Sequence, residues 1–322
     1  MNKSFEKLER SFLKIYRFVR YRSLLSCGYT ISLSANDLNR SIYEGLLGDK
    51  PFMVCRFGST EFENFSYEYA MRQSIWKRYN WYINGWLPRI HCSVEYEKEI
   101  LRRLCTCSGF FPYDISLLFH YTDLVLLDIP LIDVLGVWRQ ENMLNSFLSH
   151  VQTGEMSALE PYDYQQPWSK ALAGKKVLVV HPFSETIEKQ YQKRELLWEN
   201  KDVLPEFELK TIKAVQSLAG EKTPYKDWFE ALHHMEEQMD ALDYDIAIVG
   251  CGAYGFHLAA HAKRMGKKAV HLGGATQILF GIKGKRWDEN PEVNKFYNEN
   301  WVYPSADETP QFAQNVEGGC YW

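Results

Sequence analysis

The chain has 322 residues, enough for one large α/β domain or two smaller ones, and its 46% hydrophobic and 24% charged residues are an ordinary soluble composition. A net charge of −4 leaves no global basic field to hold nucleic acid. Aromatic residues reach 15%, which suits cores and stacking surfaces equally. The seven cysteines are scattered, without a CxxC pair, and Cys105-Thr-Cys107 is too tight for half of a usual zinc site, so they read as reduced thiols. No apolar run reaches the roughly 18 residues of a membrane span. Charges interrupt the first residues every few positions, unlike a secretory leader. The expectation is a cytoplasmic protein.

Residues 3–22 carry Lys3, Lys7, Arg10, Lys14, Arg17, Arg20 and Arg22 against Glu6 and Glu9. Phe5, Leu8, Phe12, Ile15 and Val19 recur at spacings of three and four, which predicts a basic amphipathic helix. Such a helix docks on its own domain or lies on an anionic membrane surface. A second helix is expected from Ser34 or Asn36 to Leu47, stopped by Gly48. Residues 51–58 read as a buried strand ending in a glycine turn. Ser59 and Thr60 are candidate caps for the next helix, with Glu61 and Glu63 in its first turn. Residues 72–92 read as aromatic and irregular, 93–107 as a helix, 122–128 as a strand and 131–150 as a helix. A Pro/Tyr/Gln-rich stretch at 160–168 closes a helical and aromatic insertion over about 62–170.

From Lys175 the alternation is clean. Strands are expected at 176–181, 207–214, 244–249 and 268–272, with helices at 184–198, 225–242 and 254–265. Strands and helices alternating at these lengths predict a Rossmann-like α/β domain over 49–322 with a mainly parallel sheet, preceded by the helical segment 1–48.

Gly250-Cys-Gly252-Ala-Tyr254-Gly255 fits GxGxxG between an apolar strand and a helix, a turn suited to receiving a phosphate. A dinucleotide site would place an acid at the end of the following strand. That strand instead ends Val270-His271-Leu272-Gly273-Gly274, against NAD and in favour of a nucleoside diphosphate or bare phosphate. The alternative is a small-residue turn that packs helix on strand. His181, Ser184, Glu185 and His271 also fall at C-terminal strand ends, where α/β sheets bind ligands; Ser184 equally reads as a helix cap. Arg56 is a candidate phosphate ligand, and Glu61 a metal ligand or proton acceptor. Lys283, Lys285 and Arg286 form a basic, glycine-flanked loop that can clamp a diphosphate or simply face solvent.

With these residues in hand, the chain resembles the GT-D-type glycosyltransferases, a Rossmann-like family of bacterial polysaccharide and glycoprotein biosynthesis. The likeness rests on Arg56-Phe-Gly58-Ser59-Thr60-Glu61, which matches that family's Arg-x-Gly-Asp-x-Glu motif except that Ser59 replaces Asp. Residues 245–255, 263–266 and 269–274 follow the family's order of strand, Gly-rich turn, helix and strand. The likeness spans about 50–280.

The resemblance implies transfer of a sugar from a nucleotide-diphosphate donor, such as a UDP-sugar, to a saccharide or lipid-linked acceptor in cell-surface polysaccharide assembly. It implies Mn²⁺ or Mg²⁺, with Glu61 the one carboxylate of the motif carried over. The metal is then held mainly through substrate, or Lys283, Lys285 and Arg286 take its place, or activity is lost. Donor contacts are expected from Arg56, Gly58, Ser59, Ser184, the 250–255 turn, His271, Gly273, Lys283 and Arg286. Glu61, His181 and Glu185 are the candidate bases. Trp76, Trp81, Tyr82 and Trp86 form an acceptor platform or a core cluster, and the 3–22 helix is expected to hold the enzyme at the inner face of the membrane. The rival readings are an NAD(P)-dependent oxidoreductase and a non-catalytic nucleotide- or phosphate-binding protein of an assembly complex. The closing Gly318-Gly-Cys-Tyr-Trp322 is expected to dock, on its own chain or at the interface of a homo-oligomer.

Overall fold

The computed structural model describes residues 31–83, 87, 93–138, 141–144 and 146–322, together with Ser11 and Ile15. Apart from those two positions, the amphipathic stretch 3–22 lies outside the described residues, as does Trp86.

Helix α1 (Ala35–Leu47) starts at Ser34, whose hydroxyl accepts from the Asp37 N–H, and stops at Gly48. Its Leu38, Ile42 and Leu46 are fully buried at four-residue spacing. Strand β1 (Phe52–Arg56) leads into helix α2 (Ser59–Met71). Helices α3 (Ile75–Ile83), α4 (Val94–Ser108) and α5 (Ile115–Asp128) follow. Two short strands come next, β2 (Val134–Val137) and β3 (Gln152–Glu155). The second half runs β4 (Lys176–His181), α6 (Ser184–Tyr191), α7 (Arg194–Leu197), β5 (Glu208–Lys213), α8 (Trp228–Asp240), β6 (Ile246–Val249), α9 (Gly255–Arg264) and β7 (Lys268–His271). Short helices α10 (Ala275–Leu279), α11 (Lys285–Asp288) and α12 (Pro291–Asn294) finish the chain.

The seven strands form one all-parallel sheet in the order β3-β2-β1-β7-β6-β4-β5. The fold is a Rossmann-like α/β sheet flanked by helices, as the alternation after Lys175 predicts. Alternate residues of each strand feed two cores. Met53, Cys55, Val180 and Val249 pack with α2, α4, α5, α8 and α9 on one face. Val54, Val179, Ile248 and Val270 pack with α1, α6 and α10 on the other. No helix among the described residues is long and apolar enough to cross a membrane.

Three segments depart from the sequence reading. Residues 122–128 are not a strand but the end of α5, where Leu118, Tyr121, Thr122 and Val125 are buried at helical spacing. A short apolar run cannot by itself separate a buried helix from a buried strand. Residues 131–150 contain β2 rather than a helix. Gly136 fits there because a Cβ would stand 2.6 Å from Leu159, and Gly154 in β3 likewise makes way for Leu38 at 2.5 Å. Residues 75–83, expected to be irregular, form α3. There Trp81 and Tyr82 are buried while Trp76 is 79% exposed, so these rings do not make one exposed platform.

Candidate functional site

The sheet order sets β1, β7, β6 and β4 side by side, with Val54 beside Val270, Val249 beside His271, and Val180 beside Val249. Their C-terminal ends therefore bring Arg56, His271, Gly250 and His181 to one rim. The chain leaves β1 and β6 toward the face that carries α2 and α9, and leaves β7 and β4 toward the other, which carries α10 and α6. Crevices open at such reversals in parallel sheets. One cavity, about 970 Å³ including space open to solvent, lies at the β1/β7 reversal, and a second, about 580 Å³, lies at the β6/β4 reversal. Both are bordered by Ser108, Gly252, Gly273, Gly274 and Tyr321, so they form one cleft.

Arg56 ends β1 in the first cavity. Among the described residues no carboxylate lies within ion-pair distance of its guanidinium, which stands 5.5 Å from the centre of the Trp138 ring. Burial lowers its pKa, against the attraction of the more distant Glu61. The adjacent helix α2 begins at Gly58 with no side-chain cap. Ser59 and Thr60 do not cap it as expected: the Thr60 hydroxyl donates to Glu61 Oε2 (2.9 Å) and also bonds the Ser108 hydroxyl. The Glu61 carboxyl folds over Gly58, where a Cβ would sit 2.0 Å from Oε2. Glu63 faces away, tying Arg103 and the Tyr96 hydroxyl across to α4.

Each glycine of the 250–255 turn meets a neighbour. A Cβ at Gly250 would stand 2.5 Å from the Gly273 carbonyl, at Gly252 2.5 Å from the Ser108 carbonyl, and at Gly255 2.5 Å from His271 Nε2. Packing of helix on strand is thus a real part of the motif. A 3₁₀ turn (Gly252–Tyr254) enters α9, and no side chain caps either start. Tyr254 is buried, stacked on Trp228 at 5.1 Å, with its hydroxyl 3.1 Å from that of Ser217. Gly273, at φ +60°, approaches the Arg56 guanidinium, 3.7 Å from where a Cβ would be.

His271 and His181 are both buried, and burial pushes each imidazole down to about 3, helped at His271 by the charge of Arg56. Both are neutral near pH 7. The His181 Nδ1 accepts the Phe183 N–H at 3.0 Å, so its proton resides on Nε2 and the ring can donate but not accept there. That geometry is unsuited to a general base. In the second cavity the buried Gln216 Nε2 has no hydrogen-bond partner among the described residues, and Phe183 and Trp322 supply an aromatic wall.

Several expected residues lie elsewhere. Glu185 is exposed and paired with Lys213 at 3.0 Å, which lowers its pKa; it borders neither cavity. Ser184 is buried but does not cap α6. Glu308 does so from the far end of the chain, accepting the N–H groups of Glu185 (2.9 Å) and Thr186 (3.2 Å). Lys283 lies over the Tyr297 and Tyr303 rings, and Lys285 donates to the Gly318 carbonyl. Of that basic loop only Arg286 borders the cleft. It stacks on Tyr321 (4.7 Å) and pairs with Glu317. The C-terminus docks on its own chain, the Trp322 Nε1–H donating to the Glu308 carbonyl at 3.2 Å. Ser108, Trp138, Gln216 and Glu317 were not among the expected site residues. Only the position of Trp138 just after a strand offered a signal, and that strand read as helix.

Two carboxylates, Glu61 and Glu317, border the first cavity, and Glu317 is paired with Arg286; among the described residues no group of three or more His, Cys, Asp or Glu side chains is placed to hold a metal ion. Compared with known proteins, the chain matches no family model, no curated protein and no solved structure.

Proposed function

We propose that the chain is a glycosyltransferase that moves a sugar from a nucleotide-diphosphate donor to an acceptor, a saccharide or lipid-linked glycan of a cell-surface polysaccharide. The observation that carries this is Arg56: a guanidinium without a carboxylate partner among the described residues, set beside an uncapped helix start at a parallel-sheet crevice. A cation left in this way calls for an anionic ligand. The second cavity, with Phe183, Trp322 and the free Gln216 amide, suits the nucleoside half.

Chemistry follows from the charges. Breaking the sugar–phosphate bond leaves negative charge on the diphosphate, and fixed cations at that point lower the barrier most. Arg56 and Arg286 fill that role. Glu61 is the base for the acceptor hydroxyl, because it borders the first cavity while Glu317 is ion-paired and Glu185 lies outside. Action would be cytoplasmic, at the inner face of the membrane if residues 3–22 bind lipid.

The test is a screen of nucleotide sugars for donor hydrolysis and transfer, with Glu61→Gln as control. The expected result is turnover of one donor, reduced about a hundredfold or more by the substitution. No turnover with any donor overturns the reading. A nucleotide bound without turnover would favour the non-catalytic binding protein, to which Ser59 lends support. The oxidoreductase reading lacks an acid at the end of β7, which closes on His271.

A further inference from the structure

Two guanidiniums from opposite ends of the chain border the first cavity. Arg56 comes from β1 and Arg286 from α11, and the charge of Arg286 adds to the burial that lowers the Arg56 pKa. Two cations bordering one cavity favour an anion bound between them. Among the described residues no carboxylate is ion-paired with Arg56: Glu61 and Glu160 attract it from beyond ion-pair distance, and Glu61 also accepts from the Thr60 hydroxyl.

Arg286 has a partner of an unusual kind. Glu317 is about half exposed and holds φ +48°, followed by Gly318 at +72° and Gly319 at +79°. A left-handed conformation is strained in a residue with a side chain. This bend returns the chain so that Tyr321 lies under Arg286, its hydroxyl 3.3 Å from Nη1. Tyr321 therefore keeps the guanidinium at the cavity whether or not Glu317 stays. Ser59, which also borders the cavity, adds no carboxylate to it.

We infer that the cavity holds a diphosphate directly between Arg56 and Arg286 without a divalent cation, the ligand's phosphate replacing Glu317 as the partner of Arg286. The ligand class, a nucleoside diphosphate, rests on the glycosyl-transfer reading; the mode of holding it does not. Glu317 is then a placeholder that neutralises Arg286 until the ligand arrives.

Calorimetric titration of the full chain with UDP, in EDTA and separately in Mn²⁺, tests this. Binding is expected in EDTA. Arg56→Gln and Arg286→Gln each weaken it about tenfold or more, Glu317→Gln tightens it several-fold by removing the competing carboxylate, and Lys283→Gln leaves it unchanged. Binding only with Mn²⁺, no binding under either condition, an inert Arg286→Gln, or a weakening by Glu317→Gln overturns the inference. Should Arg56→Gln fail to fold, the half-exposed Arg286 and Glu317 variants decide the outcome. UDP binding in EDTA without turnover of any nucleotide sugar keeps the clamp and removes the transferase. Turnover that requires Mn²⁺, with no UDP binding in EDTA, does the reverse.

Discussion

The Cα of Gly252 faces the carbonyl oxygen of Ser108, so close that a Cβ would stand 2.5 Å from it. The contact joins the β6 turn to the end of α4 where the two cavities meet. Gly252 also holds φ +57°, so alanine there meets both a clash with rigid backbone and a strained backbone angle. Gly252→Ala is expected to cost roughly 2–4 kcal/mol in urea unfolding. Gly266→Ala is the matched control, since φ is +78° there but nothing lies within 4 Å, and it should cost only about 1 kcal/mol. Equal losses at the two sites would show that the Ser108 contact is immaterial.

Glu308 is buried and caps α6 from across the chain, while also accepting the Thr186 and Ser305 hydroxyls. Glu308→Ala strands these donors and should destabilise by about 2–4 kcal/mol, lowering the urea midpoint with an unchanged slope. Glu308→Gln keeps one acceptor oxygen and should recover part of that loss. A neutral Glu308→Ala would mean that water replaces the cap.

The buried imidazoles make stability pH-dependent. His181 and His271 stay neutral in the native state down to about pH 3, whereas in the unfolded chain they take up protons below about 6.5. The unfolded state thus binds more protons between those values, and stability falls as pH drops through that window; above it the effect vanishes. At pH 5 each histidine contributes about 2 kcal/mol of loss. His181→Gln should therefore show a smaller fall in unfolding free energy between pH 7.5 and 5 than the parent chain does. Identical falls would place His181 in contact with solvent.

Ser59→Asp separates stability from binding. An acid in the first turn of the uncapped α2 favours the helix by about 0.5 kcal/mol, so Tm should hold or rise slightly. The new carboxylate stands beside the proposed phosphate position, so UDP binding in EDTA should weaken about tenfold, with Mn²⁺ restoring it. Unchanged UDP affinity in EDTA would separate Ser59 from the ligand.

Local patterning determined the second half of this protein. Between Lys175 and Gly273 the buried strands are long enough, and the intervening helices amphipathic enough, that period alone marks β4 to β7 and the Gly-rich turn. The end of α1 at Gly48 and the β1–α2 junction at Arg56–Glu61 are legible for the same reason, since turn and cap chemistry is local. Period could not assign residues 122–128 or 134–137, because a short run that is apolar on all sides suits a buried strand and a buried helix equally. Their state depends on neighbours: α5 packs within the helical layer, and β2 pairs with β1. Which polar residues meet was likewise a tertiary outcome. Sheet order set His181, His271 and Arg56 on one rim. The left-handed bend at 317–319 brought Tyr321 back to Arg286 of α11 beside it, and Glu308 took the cap of α6 from Ser184. Contacts between residues more than a hundred positions apart leave no periodic trace, so only the folded chain decides them.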